Sequence, residues 1–207
     1  MKTRKQAILA TITACVLIGT PTSASATQSV TPPPIMQEDA SAGLTETGEF
    51  DVAVAEANGF KIVTKSDGTK ESVPVTPSAV AEQERANRLM AETPTTFGEA
   101  NMGTCGKSWI TASKGANDKL TVKTGFKTYM TANSYTWTIV ASALVQSAGF
   151  KWTGGAVSSS GWSATSTKTA VGPGVAQLRL SQLDSYVLLV NGTKCQNSIP
   201  GPMDTFS

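Results

Sequence analysis

The stretch with the clearest strand pattern opens with Asn101-Met-Gly-Thr-Cys-Gly-Lys-Ser-Trp-Ile110 and closes with Tyr186-Val-Leu-Leu-Val-Asn-Gly-Thr-Lys-Cys195. All four tryptophans and all three tyrosines lie between its two cysteines. Apolar and polar residues alternate in the stretch, as in Tyr135-Thr-Trp-Thr-Ile139, and short turn segments rich in glycine or asparagine separate these runs. Such alternation is typical of half-buried strands. About seven short strands predict an all-β fold, an antiparallel β-sandwich, with a small barrel as the alternative.

The N-terminus has the features of a signal peptide. Three basic residues within positions 2–5 precede an apolar run over residues 7–18, and Ala24-Ser-Ala26 supplies the small residues that signal peptidase accepts. The apolar run is too short to span a bilayer. We therefore expect residues 1–26 to be removed by cleavage after Ala26, and the mature protein to be secreted and extracellular. Ile12-Thr-Ala-Cys15 loosely resembles a bacterial lipobox, which leaves lipidation of Cys15 as an alternative.

Cleavage after Ala26 leaves two cysteines, Cys105 and Cys195, in the mature chain. An even number of cysteines in an oxidising compartment favours a disulfide over a metal or redox site. We therefore predict that the two form a bridge that joins the opening strand of the domain to its closing strand.

Charge divides the mature chain into two parts. Residues 27–100 carry twelve acidic and five basic residues, a balance of −7, whereas residues 101–207 carry three acidic and nine basic residues, a balance of +6. We interpret residues 27–100 as an acidic linker or pro-segment and residues 101–207 as the β-domain. Either the asymmetry is incidental, or the acidic part docks on the basic part.

The acidic segment itself contains three kinds of structure. Thr27–Glu49, with its Pro32-Pro-Pro34 run, predicts a linker with little to bury. A hairpin is predicted over residues 60–75 around a two-residue turn at Asp67-Gly68, which would place Phe60 opposite Val75. Thr76 and Pro77 suit the N-cap and first position of a helix over residues 77–92.

Catalytic chemistry is sparsely represented. The chain has no histidine, which removes the Ser-His-Asp and Cys-His arrangements and most zinc sites. A carboxylate pair for glycoside hydrolysis would require Asp118 and Asp184 to meet in the fold. We therefore predict a non-enzymatic protein without cofactor or metal.

Aromatic and basic residues are the remaining candidates for binding. Trp137 lies in the middle of an alternating strand and is predicted to be a core residue. Trp152 and Trp162 flank a Gly/Ser-rich loop and, with Lys151, are the candidate ligand-binding residues, because exposed tryptophans can stack on sugar rings. Nine basic residues of the domain could meet an anionic polymer or solubilise the strands: Lys107, Lys114, Lys119, Lys123, Lys127, Lys151, Lys168, Arg179 and Lys194.

The opening Asn101–Ile110, the strand Ser134-Tyr-Thr-Trp-Thr138 and the ending Leu188-Leu-Val-Asn-Gly-Thr-Lys-Cys195 resemble uncharacterised exported proteins of actinobacteria. The resemblance covers roughly residues 101–200. It implies a secreted bacterial domain with a terminal disulfide, and it assigns no catalytic or binding residue.

These observations predict a secreted, non-catalytic β-sandwich protein that binds a cell-envelope or extracellular partner. The expected partners are an anionic cell-wall polymer, a glycan or another secreted protein; nucleic acid binding and stable membrane insertion are not expected, because lysine outnumbers arginine and no second apolar segment follows. The alternative is a secreted antagonistic protein, a bacteriocin or protease inhibitor, that becomes active when the acidic segment is removed.

Overall fold

The structure is a computed structural model that describes residues 40–92, 103–158, 161–179, 184–197 and 201–207. The predicted signal peptide, its cleavage site and Cys15 lie outside these residues. The described chain contains two α-helices, α1 (Val52–Ala57) and α2 (Pro77–Glu92). Its strands are β1 (Ala40–Phe50), β2 (Phe60–Thr64), β3 (Lys70–Pro74), β4 (Gly106–Lys114), β5 (Lys119–Thr128), β6 (Ala132–Ala143), β7 (Ser147–Gly154), β8 (Trp162–Thr169), β9 (Gly174–Leu178), β10 (Tyr186–Leu189), β11 (Thr193–Asn197) and β12 (Met203–Phe206).

Ten of these strands form one antiparallel sheet in the order β12-β9-β6-β10-β11-β1-β4-β5-β8. The tenth strand, β7, pairs with the other edge of β6. The long strand β6 holds β10 along its first half and β9 along its second half. The predicted antiparallel all-β fold is confirmed, although the main sheet has ten strands where about seven are predicted.

The sheet curls until distant strands meet. Strand β12 lies against β4, where the Ala112 N–H donates to the Asp204 carboxylate at 2.6 Å. The outer edges of β7 and β8 also face each other, and the Gln146 side-chain amide donates to the Thr169 carbonyl at 2.9 Å. One face of the sheet is thereby turned inward around a single core.

The core is formed by the inward-facing side chains of nearly every strand. Trp137 is its largest member and is fully buried, which confirms its predicted place. The Trp137 indole N–H donates to the Thr124 hydroxyl at 2.9 Å, so its one polar atom is satisfied. The other large, fully buried apolar residues are Leu44, Phe60, Ile110, Leu120, Val122, Phe126, Ile139, Leu178 and Val187.

Cys105 and Cys195 form the predicted disulfide, with their Cα atoms 6.3 Å apart. Cys105 precedes β4 and Cys195 lies in β11. These are the two strands that flank β1, so the bridge joins the neighbours of the first strand instead of joining the first strand to the last. A loop of 90 residues closed in this way stabilises the fold by about 4–5 kcal/mol in the chain-entropy model.

Strand β1 corrects the second part of the linker that the sequence predicts over Thr27–Glu49, whose residues 27–39 lie outside the described residues. Residues from Ala40 onward form a central strand, hydrogen-bonded to β4 on one side and to β11 on the other. The main sheet therefore includes residues that precede the predicted domain boundary at residue 101. The sequence conceals this strand because it carries few large apolar residues: Leu44 and the small Ala42 are its buried apolar side chains, and backbone pairing on both edges holds the strand.

The β2–β3 hairpin forms one residue out of the predicted register. Phe60 lies opposite Pro74, and the Lys65 N–H donates to the Thr69 carbonyl at 2.8 Å, which closes a three-residue loop. Gly68 has a positive φ of 85°, whereas Asp67 does not have a positive φ. The predicted two-residue turn requires positive φ at both of these residues and is therefore not formed. The hairpin is docked: Phe60 is buried in the core, and the Ser72 hydroxyl donates to the Asn191 carbonyl at 2.7 Å.

Helix α2 coincides with the helix predicted over residues 77–92, and the Thr76 hydroxyl caps it by accepting the Ala79 N–H at 3.3 Å. The helix docks through Glu82, whose carboxylate accepts the Thr131 N–H at 2.7 Å and the Arg85 Nε–H at 3.0 Å. Burial alone would raise the pKa of Glu82. The hydrogen bonds from Arg85 and Thr131, together with the charge of Arg85, outweigh burial, and the pKa lies below its ordinary value.

We expect Glu82→Gln to lower the free energy of unfolding by about 1–2 kcal/mol at neutral pH, because a hydrogen-bonded carboxylate is replaced by a neutral amide on a partly exposed site. A depressed folded-state pKa stabilises the protein above the ordinary carboxyl pKa, and this stabilisation is lost as the pH falls through the folded-state value. Urea unfolding at neutral and acidic pH should therefore show a difference from the parent that shrinks on acidification. The matched control is Glu84→Gln on the exposed side of α2; an equal effect from both variants would contradict the prediction.

Candidate functional site

The structure brings together two of the three candidate residues predicted from the sequence. Trp152 and Trp162 both lie on the inward face, half-buried, with ring centroids 5.9 Å apart. Trp162 also packs on Tyr135 at 4.7 Å and on Phe126 at 5.6 Å. The two indoles therefore fill the junction between β7 and β8. Lys151 follows the alternation of β7 and points to the opposite face.

Tyr135 shows how closed this aromatic junction is. Burial raises the pKa of its hydroxyl, and a hydrogen bond with the Trp162 side chain offsets the rise only in part. The hydroxyl therefore stays protonated at neutral pH. A Cβ at Gly154, which lies opposite Tyr135 in the register, would come within 2.4 Å of the tyrosine ring. The cluster is packed as a core is packed.

Lys151 lies instead in a cleft of about 610 Å³ on the outer side of β6, β7 and β10. Lys194 lines the same cleft, where its ammonium group pairs with Glu49 at 3.0 Å and lies 5.1 Å from the centre of the Tyr186 ring. The Lys194–Glu49 pair is also the one described ion pair between the acidic and basic parts of the chain. In the described structure, strand pairing rather than charge joins the two parts.

A different surface combines an outward-facing tryptophan with exposed lysines. It is the outward face of β4, β5 and β8, which we call the Trp109 face; the residues that define it are Lys107, Trp109, Thr111, Thr121, Lys123, Gly125, Lys127, Ser163, Thr165 and Thr167. In the register, Trp109 lies opposite Gly125 and Lys107 lies opposite Lys127. Directly opposite residues share one face of a sheet. The alternation of burial along β4 places Ile110 and Ala112 on the inner side and Trp109 on the outer side.

Gly125 allows the Trp109 indole to pack flat against the sheet. A Cβ at this position would come within 2.4 Å of the Trp109 Cζ2 atom and 2.9 Å of its Cε2 atom. The ring therefore lies against the backbone of β5, and Trp109 is half-buried although it faces outward. Glycine in a strand interior often marks such a close approach. The result is an aromatic surface held in one orientation.

Three exposed lysines surround this indole: Lys107, Lys123 and Lys127. Lys107 and Lys127 are direct cross-strand neighbours, an arrangement of like charges that destabilises a sheet. None of the three forms an ion pair with an acidic residue in the described part of the chain. Strands β4, β5 and β8 contain no acidic residue at all. The Trp109 face is therefore uniformly basic.

Hydroxyl groups extend the face across β8. Ser163, Thr165 and Thr167 lie opposite Gly125, Lys123 and Thr121, and the Thr121 and Thr167 hydroxyls are 3.0 Å apart. Each hydroxyl can both donate and accept a hydrogen bond. The face thus offers an aromatic ring, three positive charges and a row of hydroxyls. That combination suits a ligand that carries both anionic groups and sugar rings.

The three lysines are among the nine basic residues noted from the sequence, but no pattern considered there joins them to Trp109. The available signal was their spacing. Lys107-x-Trp109 and Lys123-x-Gly125-x-Lys127 each repeat with a period of two, which puts their members on one side of a strand. What the spacing could not supply was the register that sets Trp109 on Gly125.

The two candidate carboxylates are held by different partners. Asp118 pairs with Lys114 at 2.9 Å in the turn before β5, and Asp184 pairs with Arg179 at 3.7 Å near β10. Across the described ranges, no three His, Cys, Asp or Glu side chains are grouped to hold a metal ion. No helix in those ranges is both long and apolar enough to cross a membrane.

Function must be argued from this geometry. The predicted kinship with exported actinobacterial proteins stays a prediction. Comparison of the chain with protein-family models, with curated proteins and with solved structures found no match.

Proposed function

We propose that this chain is a secreted, non-catalytic protein that binds an anionic, sugar-containing polymer of the cell envelope through the Trp109 face. The observation that supports this most directly is the uncompensated Lys107–Lys127 pair beside an indole fixed on Gly125. Like charges placed opposite each other cost stability. A polyanion that binds between them turns this cost into affinity.

The chemistry of the side chains favours such a polymer over nucleic acid. Lysine acts as a compact point charge without the planar, bidentate geometry with which arginine reads phosphates and bases. Lys123 and Lys127 lie four residues apart along β5, about 13 Å, so they offer charges at an interval that suits a repeating polymer. The Trp109 ring can stack on a sugar, and the β8 hydroxyls can bond to sugar hydroxyls.

Secretion is part of the same proposal. The N-terminal segment carries the signals for export, and the Cys105–Cys195 disulfide belongs to the class of bonds that persist in oxidising compartments. A protein that carries a basic face outside the cytoplasm meets the anionic polymers of an envelope first.

The alternative, an antagonist activated by removal of residues 27–100, is supported less well. Such removal would take β1 from between β4 and β11 and Phe60 from the core. The truncation argued in the Discussion tests this alternative separately.

Binding of residues 27–207 to a poly(glycerol phosphate) polymer carrying sugar substituents tests the proposal, measured by calorimetry at several salt concentrations. Trp109→Ala is expected to weaken binding tenfold to a hundredfold, in line with about 1.5–3 kcal/mol for a buried large side chain. Lys107→Gln with Lys127→Gln should weaken it further and reduce the dependence on salt, because fewer counterions are released.

Lys151→Gln is the matched control, since it removes an exposed lysine from the other side of the protein. It should leave the affinity nearly unchanged. Absence of binding to the polymer, or equal losses from Lys151→Gln and from the Trp109 face variants, would refute the proposal. Tighter binding to a nucleic acid of the same charge would reassign the face.

A further inference from the structure

The turn between β6 and β7 carries two apolar side chains at its tip. The Ala143 N–H donates to the Gln146 carbonyl at 2.8 Å, which leaves Leu144 and Val145 as a two-residue loop. Leu144 is 78% exposed and Val145 is 74% exposed, more than any other large apolar residue in the described chain.

The geometry of the turn does not explain why Leu144 and Val145 are apolar. Two-residue hairpin loops favour asparagine, aspartate and glycine, which adopt positive φ angles at low cost. Neither Leu144 nor Val145 is among the described residues with positive φ, so the turn uses a geometry that any polar residue could supply. Runs of apolar residues exposed in a turn are tolerated chiefly where they bind something.

A second loop adds to the same tip. Val171, between β8 and β9, is 43% exposed, and the adjacent Gly172 lies against Leu144, where a Cβ would be 3.5 Å from its Cδ1 atom. The Lys114 ammonium group donates to the Gly172 carbonyl at 3.1 Å and pairs with Asp118 at 2.9 Å. Leu144, Val145 and Val171, which we call the Leu144 tip, are therefore held together on a tied set of loops.

Basic residues surround the Leu144 tip. Lys119 begins β5 and Lys168 lies near the end of β8, both exposed and at the same end of the sheet. Asp118 is already paired with Lys114, and neither Lys119 nor Lys168 forms an ion pair with a described acidic residue. The Lys168 ammonium group donates to the Gly149 carbonyl and lies 5.1 Å from the centre of the Phe150 ring, which holds its charge at this end of the sheet. An apolar tip beside two exposed lysines is complementary to an anionic lipid surface, with the apolar groups at the acyl boundary and the lysines at the headgroups.

We propose that the Leu144 tip docks the protein peripherally on an anionic phospholipid surface. This site is independent of the polymer-binding function proposed above. Trp109 lies five residues along β4, about 17 Å, from Lys114, whose ammonium group binds Gly172 beside the tip. A protein docked by the Leu144 tip would hold the Trp109 face upright beside the lipid surface, where it remains open to a polymer.

Flotation of residues 27–207 with vesicles tests the proposal, using equal parts of phosphatidylglycerol and phosphatidylcholine against phosphatidylcholine alone. Binding is expected only to the anionic vesicles and should weaken as salt is raised. The double variant Leu144→Ser with Val145→Ser supplies polar residues that suit negative φ angles, so the hairpin should be retained while the vesicle partition coefficient falls more than tenfold. Lys119→Gln should lower the partition coefficient about fivefold.

Val75→Ser is the matched control, since Val75 is 60% exposed but follows β3, away from the tip. It should bind vesicles as the parent does. No binding to anionic vesicles, or an equal loss from Val75→Ser, would overturn the proposal. Dimerisation in sedimentation velocity that is abolished by the tip variant, without vesicle binding, would assign the tip to a second copy of the chain instead.

Discussion

A chain that begins at residue 101 should fail to reach the native fold. Removing the preceding residues deletes β1, which pairs with β4 over Ala40–Leu44 and with β11 over Leu44–Phe50. Two strand edges would lose their partners at once, and each buried backbone group left unpaired costs about 1–3 kcal/mol. The total exceeds the net stability of about 5–15 kcal/mol that a domain has to lose.

The loss is not confined to hydrogen bonds. Leu44 and Phe60, both fully buried, would leave the core, and α2 would no longer cover Thr131. Circular dichroism and thermal unfolding should therefore show no cooperative transition for residues 101–207, whereas residues 27–207 unfold cooperatively. The Cys105–Cys195 disulfide does not compensate for this loss of stability. It links the segments of β4 and β11, but it supplies no hydrogen-bond partners for the strand edges that β1 occupied.

A synthetic peptide of residues 37–51, added to the truncated chain, supplies the control. It should restore part of the native signal, and the same peptide with Leu44→Asp should not, because a charge would replace a side chain with no exposed surface. Cooperative folding of residues 101–207 without any peptide would contradict this prediction, and it would favour the alternative of an antagonist released from a pro-segment.

How much of this fold the sequence predicts depends on what holds each element. The sequence pattern predicts strands β5 and β6 because their alternating apolar residues, such as Val122 and Trp137, are buried by side-chain packing. The Thr76 cap and the helix after it follow from local chemistry. Strand β1 gives no such signal, since backbone pairing on both edges holds it, and only the partners' register reveals that pairing.

The same distinction applies to the candidate site. Trp152 and Trp162 are candidates for binding from the sequence because they flank a loop, yet β7 and β8 turn their side chains inward against each other. The sequence alone does not distinguish Trp109 from the other tryptophans. Its role depends on a glycine sixteen residues later that the β4–β5 register places beneath it. Periodicity assigns a residue to one side of its strand, but the curl of the sheet decides which side faces water.

We expect Trp137→Ala to lower the free energy of unfolding by about 3–5 kcal/mol. Trp137 has no exposed surface and packs on Phe126 with ring centroids 5.2 Å apart. Alanine would leave a cavity in the core. The surrounding strands cannot move together to fill this cavity, because the disulfide and the strand pairing hold them in place. Urea unfolding followed by circular dichroism measures the loss, and a change below about 1 kcal/mol would contradict the packing described above.

A double-mutant cycle separates packing from hydrogen bonding at this residue. The Trp137 indole donates to the Thr124 hydroxyl, which itself donates to the Trp109 carbonyl at 2.8 Å. Trp137→Phe keeps an aromatic ring but removes the first donor, and Thr124→Val removes the acceptor. The two changes together should cost less than the sum of their separate effects, because the pair is removed as a unit. Since Thr124 connects the core to the strand that carries Trp109, Thr124→Val should also weaken polymer binding more than Trp137→Phe does.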